Sequence, residues 1–180
     1  MAITGSAKRE PLFSFPHPVN EVSARIVAGG VVILASAAVL VNHYFEWPWL
    51  MVPLAYGFWA RVLTGPKLSP LGTFVTRVLV PALGNPTKRV AGPPKRFAQG
   101  VGVLFSTTAL VLEVGFGLSG AAHLILGGLI FAATLESVFA FCLGCQMFAI
   151  LMRVGVIPES VCRDCAQYSS TRLRSGSSAG

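Results

Sequence analysis

The sequence predicts an all-α integral membrane protein: a four-helix bundle with an interfacial helix and a helical, cysteine-bearing C-terminal tail. Three observations lead there. The chain has 180 residues, 53% of them hydrophobic and only 12% charged, against about 25% charged in a typical soluble domain. Its mean hydropathy is +0.68. Four apolar stretches approach or exceed the roughly 20 residues that a helix needs to cross the hydrocarbon, and the basic residues lie outside their centres.

Residues 1–20, with Pro11, Pro16 and Pro18, read as an extended N-terminus. Residues 21–152 form the membrane domain. The first span is Ala24–Asn42. Ala35-Ser36-Ala37 imitates a signal-peptidase site, but it lies inside the apolar run, so an uncleaved span is the better reading. Tyr44, Phe45, Trp47 and Trp49 follow as an aromatic belt. The second span, Trp47–Leu63, is short and interrupted by Pro53.

A loop over residues 64–97 comes next. Within it, Pro70–Leu83 is apolar apart from Arg77, the composition of a helix lying on the membrane surface. Lys88, Arg89, Lys95 and Arg96 then precede the third span, where anionic lipid headgroups would attract them. The third span is Ala98–Leu118. The fourth apolar stretch runs from Ala121 to about Met152, too long for one crossing, so its spanning part is expected to end near Phe141. Residues 153–168 form a tail with a C-x-x-C pair. Residues 169–180, rich in Ser and Gly, read as disordered.

Topology follows from charge. All Lys and Arg residues fall in the N-terminal region through Arg25, the segment Arg61–Arg96, or the tail from Arg153. The positive-inside rule places both termini and the middle loop in the cytoplasm of a multi-pass membrane protein. The net charge of +7 is explained by this asymmetry and does not indicate nucleic acid as a partner. No HExxH, Walker motif, Rossmann fingerprint or serine nucleophile elbow is present.

Val19-Asn20-Glu21, Ala24-Arg25-Ile26, Leu68-Ser69-Pro70, Pro94-Lys95-Arg96-Phe97-Ala98, Leu135-Glu136 and Phe141-Cys142-Leu143-Gly144-Cys145 form a recognisable pattern. Over roughly residues 18–150 the chain resembles a bacterial family, the domain of unknown function 4395. The resemblance implies a small integral membrane protein with a thiol motif and supplies no established activity. The second cysteine pair lies beyond it.

All four cysteines sit in two C-x-x-C pairs, Cys142/Cys145 and Cys162/Cys165. Three readings stand open. The pairs could carry thiol–disulfide or sulfur-transfer chemistry, exchanging with a soluble thioredoxin-like or sulfur-carrier protein. Sixteen residues between them (C-x2-C-x16-C-x2-C) also suit a four-cysteine zinc site in an accessory or scaffold protein. Lastly, the thiols could simply be buried packing. Reactivity requires a thiolate. Cys142 is expected to end a helix, where the dipole opposes ionisation, unless Gly144 breaks the helix. Pro158 and Arg163 favour Cys162/Cys165 as the more reactive pair.

Two acids fall inside spans, where ionisable groups are costly and suggest function. Glu113 could reach His123. Glu136 could reach Arg25 or Arg61 as a structural ion pair. On one continuous helix, Glu136 would lie about 240° around the axis from Cys142 and would not face it. A small-solute transporter using Glu113 or Glu136 is a further reading.

Overall fold

The structure, a computed structural model, describes residues 19–65, 68–84, 89–90 and 92–157. It is all-α apart from two two-residue strands. β1 (Val19–Asn20) and β2 (Arg89–Val90) pair antiparallel, Val19 opposite Val90, tying the start of the first helix to the segment before the third span.

α1 (Glu21–Phe45) starts where Asn20 accepts a hydrogen bond from the Val22 N–H at 3.0 Å, which satisfies one of the first-turn donors that a helix leaves unpaired. It ends at Glu46, in the left-handed region at φ 51°. A 3-10 turn (Pro48–Leu50) leads into α2 (Met51–Thr64). Pro53 therefore sits in the first turn of α2, where its missing N–H costs nothing and the helix is not interrupted.

α3 (Pro70–Phe74), a π-helical turn (Val75–Leu79) and α4 (Val80–Ala82) run without a break, so the segment expected to be helical is helical. The π turn has a local cause. The Pro81 ring would crowd the Arg77 carbonyl in a regular α-helix, and widening the turn makes room. Val75 and Val80 are buried against Val27 of α1, while Phe74, Arg77 and Val78 point outward. Leu71 lies so close to Gly30 of α1 that a Cβ there would come within 2.8 Å of it.

α5 (Gly92–Phe116) and α6 (Ser119–Phe139) are joined by a two-residue turn in which Gly117 takes φ 66°. α7 (Leu143–Arg153) follows after three residues. α1 packs on α6, α6 on α5, and α5 on α2. Their common core includes Val31 and Ala38 of α1, Leu54 and Phe58 of α2, Ala109 of α5 and Leu126 of α6. Small residues let the backbones approach, as in other membrane bundles.

α1, α5 and α6 are each long and apolar enough to cross a membrane. α2, with 14 residues, is the shorter fourth member. Large apolar side chains such as Ile33, Leu104, Leu124 and Phe131 face outward. A soluble protein rarely shows so much outward-facing apolar surface. Tyr44, Phe45, Trp47 and Trp49 are exposed together at one end. This is a membrane protein.

Candidate functional site

Two local breaks in the helices build the site. α6 ends at Ala140, a non-glycine residue in the left-handed region at φ 55°, whose N–H bonds back to Leu135 O. The Arg25 guanidinium reaches across from α1 and donates to Ser137 O twice and to Val138 O, each at 3.1 Å. Those carbonyls belong to the last turn, where a cation is doubly favourable as donor and as countercharge to the helix dipole. The second break is the start of α5 at Gly92-Pro93-Pro94. Proline suits a first helical turn. Lys95 and Gln99 thereby fall one turn apart on a helix instead of in a loop.

The chain turns at Ala140, so Cys142 does not end a helix. It caps the start of the next one. Its backbone is extended (ψ 103°), its Sγ accepts from the Cys145 N–H at 3.3 Å, and its carbonyl accepts from the Gln146 N–H at 3.1 Å. The expectation that a helix dipole opposes Cys142 ionisation is thus reversed: the positive end of α7 faces the sulfur. The break occurs at Ala140 rather than at Gly144. Gly144 has a different job. A Cβ on it would lie 2.6 Å from both Cα and Cβ of Ala98, so only glycine lets α7 press its first turn onto α5. Phe148 completes the seat, its ring 5.7 Å from that of Phe97.

Both thiols of this pair are free; Cys142 is buried and Cys145 half-buried. The Cys142 thiol is drawn below its ordinary range, chiefly by a hydrogen bond from the Cys145 thiol. Lys95 and the Cys145 N–H pull the same way, against burial and the Glu136 charge. Cys145 is pushed up, first by that same hydrogen bond and then by burial. The pair is therefore asymmetric: one stabilised sulfur and one that keeps its proton.

Beneath the thiols lies an ion pair. Lys95 Nζ donates to Glu136 Oε1 at 2.5 Å, with both side chains largely shielded (10% and 16% exposed). Neither expected partner holds Glu136 in the hydrogen-bonded pair, though its charge still acts on Arg61. Arg25 caps α6. Arg61 is buried with its Nε donating to Gly57 O and its guanidinium 4.5 Å above the Phe58 ring. Lys95, expected at lipid headgroups, is instead drawn into the bundle, while Arg96 is exposed. Lys88 lies outside the described residues, as does the side chain of Arg89.

At the other end of the bundle, Glu113 accepts from the Ser119 hydroxyl at 3.0 Å, and His123 meets Asn42 at 3.1 Å. The two expected partners are thus each engaged elsewhere. Cys162 and Cys165 fall outside the described residues. Among the described residues, no three His, Cys, Asp or Glu side chains gather as a metal site.

Residues 19–153 match the family described as Domain of unknown function (DUF4395). The chain belongs to that family. Neither the curated proteins nor the solved structures contained a match to it. The family match covers the whole DUF4395 site described here, from Arg25 to Cys145, and stops short of Cys162.

Sequence reasoning missed two members of the site, Lys95 as the partner of Glu136 and Gln99 beside it. The Gly-Pro-Pro start carried the signal. Counting from it, Lys95, Gly102, Ser106 and Ala109 recur at helical spacing, and all are buried.

Proposed function

We propose that this DUF4395 protein carries out dithiol–disulfide exchange at the cytoplasmic face of the bacterial inner membrane, through Cys142 and Cys145. The observation that carries the reading is the position of Cys142 Sγ at the start of α7, within hydrogen-bonding reach of the Cys145 N–H and beside the Lys95–Glu136 pair. A sulfur so placed is a good nucleophile and a good leaving group, because both roles require a stabilised thiolate.

The chemistry runs as follows when the pair is oxidised. A thiolate of a soluble dithiol protein attacks Sγ of Cys145, the less buried of the two residues. A mixed disulfide forms, the Cys142–Cys145 bond breaks, and Cys142 leaves as thiolate. The partner's second thiolate attacks the mixed disulfide and releases Cys145, which takes a proton. The partner ends as a disulfide and the pair as a dithiol, with two electrons transferred. Placement on the cytoplasmic side is supported by the confinement of Lys and Arg to the two termini and the middle loop.

The test uses the full chain in detergent, oxidised, with a thioredoxin-like protein whose second cysteine is replaced by serine. The expected product is a mixed disulfide mapped by mass spectrometry to Cys145, absent in Cys145→Ser. Failure of any adduct to form on this pair would refute the reading.

A further inference from the structure

One cavity, of about 370 Å³, opens within the bundle and ends at Cys142. Its size falls in the usual range of ligand sites, roughly 300–1,000 Å³. Most of its wall is apolar, with Val31, Phe58, Leu129 and Ala132 among the lining residues. Leu104 and Met147 line it too, and both are widely exposed on the outer surface (64% and 48%). The mouth therefore gives onto the side of the bundle that lipid would cover.

The inner end is polar. Arg61, Gln99, Glu136 and Cys142 all border it. Glu136 is occupied by Lys95. Arg61 uses its Nε on Gly57 O. Its guanidinium lies over the Phe58 ring and feels the charge of Glu136. The Gln99 Oε1 is buried and has no hydrogen-bond partner among the described residues. A buried polar atom in this condition is costly and nearly always finds a partner. An acyl chain entering from the bilayer would leave it unmet.

We propose that this cavity binds a membrane-soluble quinone, which takes two electrons from the Cys142/Cys145 dithiol. The proposal rests on the dithiol reading above and adds the electron acceptor. A quinone matches each part of the site. Its tail and ring suit an apolar cavity that opens on lipid. A ring carbonyl accepts from the Arg61 guanidinium. Once reduced, a ring hydroxyl donates to Gln99 Oε1. Cys142, the stabilised sulfur, borders the same cavity as the electrophilic ring. In the reaction the Cys145 S–H bond breaks and the Cys142–Cys145 bond forms. Two electrons pass to the quinone, whose oxygens take the Cys145 proton and a second proton from water, the one Cys142 gave up on ionising, giving quinol. Electrons then travel from a soluble dithiol, through this pair, to the membrane.

The test takes the reduced full chain in nanodiscs, without oxygen, and offers two oxidants separately: decyl-ubiquinone and oxidised glutathione. Quinol formation is followed by absorbance, and the Cys142–Cys145 disulfide by mass spectrometry. Wild-type protein is expected to reduce the quinone and form that disulfide. Ala132→Phe, which fills the cavity, and Gln99→Leu, which removes the amide at similar volume, should each lower the ratio of quinone rate to glutathione rate at least tenfold. If Ala132→Phe does not fold, Gln99→Leu carries the comparison. Exchange with glutathione but none with quinone overturns the proposal and leaves the dithiol reading intact. Reaction with neither oxidant removes both. An unchanged ratio in the folded variants also overturns the proposal, because the quinone then reacts elsewhere.

Discussion

Lys95 and Glu136 stand 41 residues apart in the chain and meet at 2.5 Å, largely shielded from solvent and within electrostatic reach of a pair of free cysteines. Each stands at the inner side of its helix, one near the start of α5 and the other near the end of α6. Each offsets the other's charge there.

Removing one partner leaves a buried charge uncompensated, which usually costs about 3–5 kcal/mol. Glu136→Gln and Lys95→Met are each expected to lower thermal stability in detergent. The double variant should recover much of the loss. A double-mutant cycle showing no coupling between them would contradict the pairing, and a cycle of Glu136 with Arg25 is expected to show little.

The same two residues should move Cys142 reactivity in opposite directions. Lys95 lowers the affinity of that sulfur for its proton and Glu136 raises it. Because the thiol is drawn below its ordinary range, its alkylation rate should hold on a plateau to a lower pH than a free thiol and fall only beneath that. Lys95→Met should shift the midpoint up, and Glu136→Gln down. Cys145, pushed up, should alkylate slowly at neutral pH. Rates of iodoacetamide labelling across pH, resolved by peptide, read all three. Equal rates at the two sulfurs would show that the asymmetry is absent in solution.

Gly144→Ala places a methyl group within 2.6 Å of the Ala98 backbone. Backbone cannot yield as a side-chain tip does, so α7 must lift. Overpacking of this kind costs about 1–3 kcal/mol. The stronger expectation concerns chemistry: Cys142 moves away from Lys95, and its alkylation midpoint rises towards that of a free thiol. A variant with an unchanged midpoint would show that the close seat is not what tunes the sulfur.

Ala140 holds a left-handed conformation that costs an L-residue roughly 1–2 kcal/mol. Ala140→Gly should therefore raise the melting temperature. Arg25→Met should lower it, since hydrogen bonds from a charged donor are worth about 1.5–3 kcal/mol and three of them end on the last turn of α6. A melting-temperature series of the two single variants and their combination decides the matter; stabilisation by Arg25→Met would contradict it.

Composition, charge placement and apolar run length by themselves determined that this chain is a helical membrane bundle, because spanning a bilayer is a constraint on length and hydropathy that a linear sequence displays directly. The helix before the third span was equally visible in Pro70–Leu83, and the family was visible in short motifs around Lys95 and Cys145. Tertiary structure alone decided the site. The run from Ala121 to Met152 carries no glycine or proline at Ala140, so nothing local announces the break there. It is held by Arg25, more than a hundred residues away. That distant contact turns Cys142 from the end of one helix into the start of another and so reverses the field on its sulfur. The partner of Glu136 was equally hidden: an ion pair depends on which helix faces which, and hydropathy carries no information about rotation around a helix axis.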